Sequence, residues 1–252
     1  MKTDNMNKVV VVDFGSQTTQ LIIRRIREIG VYCEIIPHNN LYLYVKTNKP
    51  QAIVLSGGPA SSFEKKSPKL NKEVLKMNIP ILGICYGMQI ICQTLGGKVQ
   101  SSSRREFGKA EIKILKKNLL LNRIEFSKNN TSQVWMSHGD EVVVLPKGFD
   151  KLAITKDKNI ASIGNIKKNI YGLQFHPEVI HTISGKKIIE NFLMKVCKIK
   201  SNWKIENFLK IKIKEIKNKV GKEKVICGLS GGVDSSVVAA LLSKIIGKGL
   251  IC

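Results

Sequence analysis

The chain has 252 residues, 43% of them hydrophobic, enough to bury a full core, and no window approaches the roughly 18 unbroken apolar residues of a membrane span. Six scattered cysteines, with no CxxC pair and no cysteine–histidine ligand spacing, argue against a zinc site or a disulfide scaffold and fit a reducing, cytoplasmic setting. The formal net charge of +23 raises nucleic-acid binding, but the 42 basic residues are mostly lysine, spread through every segment and not interleaved with aromatics. No specific nucleic-acid or membrane partner is expected.

The opening Met1-Lys2-Thr3-Asp4-Asn5 precedes only a four-valine run, too short for a secretory leader. Lys8–Asp13 reads as a buried strand. Leu21–Ile29 reads as a helix, with Ile22, Ile26 and Ile29 on one stripe and Gly30 as its stop. Tyr32–Ile36 and Ala52–Ser56 are further strands, and Leu70–Met77 is a helix. A strand at Pro80–Ile84 then feeds a helix through Leu95 whose stripe makes Cys92 a core residue. From Lys98 the pattern shortens to strands at Ala110–Leu115, Gln133–Met136, Glu141–Val144, Leu152–Thr155 and Ile170–Phe175. Helix returns at Ile183–Val196. The alternation predicts α/β architecture with a mainly parallel sheet.

The run around Lys198–Ser201 is polar and aperiodic, which puts a domain boundary there. Beyond it Ile205, Phe208, Leu209, Ile213, Ile216 and Val220 share one helical face. Lys224–Leu229 is a strand, Ser235–Ile246 a helix, and Leu250-Ile251-Cys252 reads as the start of another strand. One strand, loop and helix cannot cover both faces of a sheet, so the expectation is a second domain present only in part.

Three turns carry chemistry. Gly83-Ile84-Cys85-Tyr86-Gly87 joins a strand to a helix, lifting a cysteine off the sheet between glycines that remove clashing side chains. The helix N-terminus there favours a thiolate. In Gln174-Phe175-His176-Pro177-Glu178, a glutamate two residues from a histidine can accept its ring N–H and orient it. Leu55-Ser56-Gly57-Gly58-Pro59 lets backbone N–H groups approach a substrate oxygen. A fourth turn, Leu229-Ser230-Gly231-Gly232-Val233-Asp234-Ser235-Ser236, opens backbone and hydroxyl donors to phosphate at a helix N-terminus. It is not a Walker A loop, since no Gly-Lys-Ser/Thr follows.

The first three pieces, in the order they follow along the chain, resemble the class I (triad) glutamine amidotransferases over about residues 8–196. The resemblance implies an α/β open sheet flanked by helices, with Cys85 as nucleophile, His176 as general base and acid, and Glu178 as the third triad member. It also implies an oxyanion hole from Gly58 and Tyr86, and glutamine held by Gln89. SGGVDSS resembles the pyrophosphate loop of the ATP pyrophosphatases. That implies a Rossmann-like domain of which this chain carries the first strand, loop and helix. ATP would sit at Ser230, Gly231, Gly232, Val233, Asp234, Ser235 and Ser236, with Mg²⁺ at Asp234.

An amidotransferase followed by this loop is similar to the glutamine-hydrolysing GMP synthetase family. Asp13–Gln17 (DFGSQ), Gly30–Ile35 (GVYCEI), Arg105–Gly108 (REFG), Trp135–Val142 (WMSHGDEV) and Gln174–Thr182 (QFHPEVIHT) add to the likeness. Thr18 departs from it, standing where an aromatic residue is usual; the expected effect is on local packing. The implied domains are 1–198, amidotransferase, and 199–252, a linker helix with the start of the ATP domain. The implied partners are glutamine, ATP and xanthosine monophosphate, the last with a site outside this chain, and a second copy only for a complete enzyme. The chain alone is expected not to form GMP. Rival readings are an amidotransferase of anthranilate or carbamoyl phosphate synthesis, which SGGVDSS disfavours, and an RNA-modifying ATP pyrophosphatase. A stand-alone or regulatory amidotransferase fragment, inactive without a partner chain, is the remaining alternative.

Overall fold

The computed structural model describes residues 8–124 and 131–252, with side chains at all of these but 103 and 104. The opening Met1–Asn5 stretch lies outside the described residues. The chain divides into two compact units, Met1–Asn202 and Trp203–Cys252.

In the first unit the elements run β1 (Val9–Asp13), α1 (Thr19–Glu28), β2 (Cys33–Pro37), α2 (Leu41–Asn48), β3 (Ala52–Leu55), β4 (Ile81–Ile84) and α3 (Tyr86–Thr94). They continue as β5 (Lys98–Ile114), β6 (Ser132–Val144), β7 (Asp150–Thr155), β8 (Ile160–Asn165), β9 (Ile170–Leu173) and α4 (Gly185–Glu190). One sheet holds all nine strands in the order β2-β1-β3-β4-β9-β8-β7-β5-β6. Pairing is parallel from β2 to β9 and antiparallel from β9 to β6. The sheet is therefore mixed rather than mainly parallel. Parallel neighbours need long crossovers, and among the described residues no α-helix interrupts the stretch from β5 to β9.

β1 shows why the parallel half reads as unbroken valine. Val9, Val10, Val11 and Val12 are all fully buried. Val9 and Val11 join Ile22 and Ile26 of α1 and Ile188 of α4, whereas Val10 and Val12 join Leu41 and Val45 of α2 and Met88 and Ile91 of α3. Alternate side chains point to opposite faces, and helices cover both. Cys92 is fully buried in the second of these clusters.

Several elements differ from the sequence reading. Leu70–Met77 forms only a 3₁₀ turn, Lys72–Lys76. Asn71 caps it, its side chain accepting the Glu73 N–H at 2.9 Å, and Asn78 leaves it at φ 53°, so too few residues remain for α turns. Gln133–Met136 and Glu141–Val144 are one strand, β6, which pairs with β5 on both sides of Gly139 across an irregularity in register there. Helix α2 and strand β8 are additional. Helix α2 buries only Leu41 and Val45, too few for a stripe to read. The helix expected over Ile183–Val196 starts at Gly185 and passes into a π-helical turn at Asn191–Val196.

The second unit comprises α5 (Ile205–Val220), β10 (Val225–Ile226), α6 (Val233–Ile246) and β11 (Leu250–Ile251). The strand expected over Lys224–Leu229 contracts to the two residues that β11 pairs in parallel. Within this unit only Cys227 is buried, while Ile226 and Val233 are 81% and 80% exposed. A two-stranded pair with only α5 and α6 beside it in the chain leaves such side chains uncovered. No helix among the described residues is long and apolar enough to cross a membrane.

Candidate active site

Cys85 stands alone between the end of β4 and the start of α3, with φ 51° and ψ −106°. A side chain other than glycine rarely adopts such a backbone, and strain of this kind persists only where the surroundings over-determine it. Here they do. The Cys85 N–H donates to Leu173 O of β9 at 2.7 Å, and Gly87 N–H donates to Ser56 O at 3.1 Å. A Cβ added at Gly83 would stand 2.5 Å from the Gly87 backbone, and one at Gly87 would stand 2.5 Å from Leu55 O. Both flanking glycines are thus demanded by close backbone approach, which is what lets strand and helix pinch together beneath the thiol. Cys85 is 5% exposed, and its sulfur meets Ser137 O at 3.6 Å and Gln174 Nε2 at 3.8 Å.

His176 follows β9. Its N–H donates to Trp135 O at 3.0 Å, and its carbonyl accepts the Thr182 hydroxyl at 2.6 Å. Nδ1 lies 2.7 Å from Oε1 of the fully buried Glu178, which leaves the opposite ring edge free. The cysteine lies nearby: His176 Cε1 and Cys85 Cβ both flank Gly57, 3.3 and 3.7 Å from where a Cβ there would stand. Burial pushes the imidazole towards its neutral form, but hydrogen bonds to Cys85 and Glu178, with their charges, prevail and hold its pKa up at about 10.

Gly58 leaves β3 with no room for a side chain, since its Cβ would fall 2.8 Å from Phe14 O and 3.4 Å from Tyr86 Cγ. No backbone acceptor among the described residues takes the N–H of Gly58 or of Tyr86, the first residue of α3. A cavity of about 380 Å³ opens over Cys85, lined by Gly58, Gln89, Arg105, Ser137 and Asp140 among others. Gln89 is buried beneath it, its Nε2 donating to Asp140 O at 3.1 Å and to Gln174 Oε1 at 3.4 Å.

The fold thus brings Cys85, His176, Glu178, Gly58, Tyr86 and Gln89 to one place. Sequence reasoning missed Gln174, Ser137 and Asp140, which enter through long-range pairing, and it missed Thr18, whose hydroxyl lies 2.7 Å from Glu178 Oε1. His138 bridges Asp140 O at 2.9 Å and Glu106 Oε2 at 3.1 Å, tying β5 to β6. His38 stacks on Phe14, and His181 meets Trp135 at a tilt, with ring centres 4.4 Å apart.

The serine-rich loop lies in the second unit, apart from those six residues in sequence. Gly231 has φ +80°, and a Cβ there would meet nothing within 4 Å. Ser230 and Ser235 hydroxyls lie 3.0 Å apart across the loop, Ser235 also donates to Gly232 O, and α6 begins at Val233 with Gly232 as its cap. The loop therefore presents backbone and hydroxyl groups to solvent at a helix N-terminus. Asp234 sits in the first turn of α6, and among the described residues no group of three His, Cys, Asp or Glu could hold a metal ion.

Residues 10–196 match the class-I glutamine amidotransferase family, and residues 203–251 match the NAD synthase family. A glutamine-hydrolyzing GMP synthase of Brachyspira hyodysenteriae is 52% identical over 249 residues, which cover 99% of this chain and 48% of that one. The enzyme of the same name from Bartonella henselae is 46% identical over 252 residues, covering 100% and 48%. The chain spans about half the length of the curated relatives it matches. Among solved structures, a protein of Thermoplasma acidophilum assigned to the GMP synthases superposes with TM-score 0.66 at 29% identity over 82% of this chain and 98% of that one. A glutamine amidotransferase of Thermotoga maritima gives 0.60 at 18% identity over 76% and 98%, a likeness of fold.

Proposed function

Because the chain belongs to the class I glutamine amidotransferase family, we propose that Cys85 releases ammonia from glutamine for the ATP-dependent amination of xanthosine monophosphate to GMP. One observation carries the amidase reading. An imidazole held by a buried carboxylate turns its free edge towards a sulfur that a strained turn lifts into a cavity. The relatives named GMP synthase, similar along almost the whole chain, support the acceptor.

In this reading the Cys85 sulfur attacks the carboxamide carbon of glutamine while His176 already holds the proton that the thiol gives up. The carbonyl oxygen becomes an anion between the N–H groups of Gly58 and Tyr86, which no backbone acceptor takes among the described residues. As the C–N bond breaks, His176 returns the proton to nitrogen and ammonia leaves a glutamyl thioester. Water then attacks the thioester, giving a proton to His176. The C–S bond breaks, glutamate departs and the sulfur regains its proton. Glu178 holds the imidazolium between these transfers. Gln89 and the cavity around it hold the amino acid. The chemistry asks for a reducing setting such as the cytoplasm, where Cys85 stays a thiol.

ATP is assigned to Ser230, Gly231, Gly232, Val233, Asp234, Ser235 and Ser236, whose open backbone and hydroxyls suit a pyrophosphate. For Mg²⁺, Asp234 would supply one carboxylate ligand, since among the described residues no group of three His, Cys, Asp or Glu could hold an ion, and no step is assigned to it.

The test is ammonia release from glutamine by the wild-type chain and by Cys85→Ser. The wild type should turn over and the variant should not; equal rates would remove Cys85 from the chemistry.

A further inference from the structure

Glu178 is fully buried, and among the described residues its Oε2 has no hydrogen-bond partner. All of its side-chain bonding passes through Oε1, which contacts His176 Nδ1 at 2.7 Å and Thr18 Oγ1 at 2.7 Å. A carboxylate can only accept, so the Thr18 hydroxyl donates to it. That donation uses the one proton Thr18 has. Ser16 Oγ, 2.9 Å from Thr18 Oγ1, must then be the donor of that pair, while accepting the Thr18 N–H at 3.2 Å. The direction of the chain is fixed throughout: Ser16 donates to Thr18, Thr18 donates to Glu178, and His176 donates to the same oxygen from the other side. A hydroxyl that accepts while it donates is polarised into a stronger donor.

The segment holding these hydroxyls is pinned independently of Glu178. Asp13 Oδ1 accepts the Gly15 N–H and the Thr19 hydroxyl, each at 2.9 Å. From α1, Arg25 Nε donates to the Glu178 main-chain oxygen at 3.0 Å, which fixes the backbone of Glu178 but not its carboxylate. Orientation of the carboxylate itself falls to the two bonds on Oε1.

We propose that Thr18 is a positioning residue: its hydroxyl, polarised by Ser16, fixes the Glu178 carboxylate and through it the direction in which His176 faces Cys85. The proposal rests on the assignment of Cys85, His176 and Glu178 as one reacting unit. Without the hydroxyl, Oε1 keeps a single partner and the carboxylate can turn, taking the imidazole with it. Glutamine binding, made in the cavity by other residues, stays unchanged.

The experiment compares Thr18→Val, which keeps the branched shape, with Thr18→Ser, which keeps the hydroxyl, and with Ser16→Ala, which removes the donor behind it. Glutamine hydrolysis by the full 252-residue chain gives kcat and KM. Alkylation by iodoacetamide, mapped to Cys85 by mass spectrometry, reads the sulfur without glutamine. In Thr18→Val, kcat should fall about 10- to 100-fold, the cost of a misplaced reacting group, with KM within about twofold. Thr18→Ser should keep kcat within about twofold of wild type, and Ser16→Ala should lie between. Cys85 alkylation should slow in the Val variant and not in the Ser variant. Equal kcat in Val and Ser variants, or a rise in KM with kcat unchanged, would overturn the proposal. A wild-type chain that hydrolyses no glutamine would refute the functional reading instead. Thr18 would then stand or fall on alkylation: slower in Val alone supports it, equal rates in all variants overturn it.

Discussion

Replacing Glu178 by Gln keeps the shape of the side chain and removes its charge, so the variant isolates what the carboxylate does for His176. Inside the fold that imidazole holds its proton up to pH about 10 although burial opposes it, against an ordinary 6.5. At about 1.4 kcal/mol for each tenfold change in proton affinity, the difference is worth about 5 kcal/mol. Two groups supply it through hydrogen bonds and charge, the Cys85 sulfur and the Glu178 carboxylate, so part of it is lost with the carboxylate. A folded-state pKa raised above its unfolded value stabilises fully below pH 6.5, and the stabilisation is lost as pH rises through 10. Thermal unfolding at pH 6 and pH 10 is the assay. For a domain of this size 1 kcal/mol moves Tm by about 2–4 °C. The fall in Tm between pH 6 and pH 10 should therefore be larger, by several degrees, in wild type than in Glu178→Gln. Parallel pH profiles would refute the claim that the carboxylate sustains the charged imidazole.

Three further outcomes follow from contacts already described. Gly87→Ala drives a methyl to 2.5 Å from Leu55 O, a backbone atom that cannot give way, so urea unfolding should show a loss of about 1–3 kcal/mol and ammonia release should fall with it. Phe192→Ala empties a fully buried position in the core under α1, and the same measurement should show a loss of about 3–5 kcal/mol. Gln89→Ala removes the amide that donates to Asp140 O and Gln174 beneath the cavity, so KM for glutamine should rise about tenfold with kcat little changed.

What the sequence made legible was local. Cys85 between two glycines, His176 two residues from Glu178, and four valines in β1 each state their geometry within a few positions, because backbone sterics and side-chain alternation act at that range. The half of the sheet built from β5 to β9 was less legible. Its strands carry serine, lysine and glycine on open faces, and their pairing is set by partners far away in the chain, such as Phe107 opposite Ser137. Convergence was out of reach for the same reason. Gln174 and Cys85 are 89 positions apart, and the Thr18–Glu178 bond spans 160. Thr18 looked like a change in packing because a single hydroxyl carries no signal until the carboxylate it meets is known.

The central claim is that glutamine is cleaved through a thioester on Cys85. Acid-quenching the chain during turnover of isotopically labelled glutamine, then mapping peptides by mass spectrometry, tests it directly. The account predicts a labelled glutamyl group on Cys85 and none in Cys85→Ala. Labelled glutamate released by Cys85→Ala at the wild-type rate would contradict it.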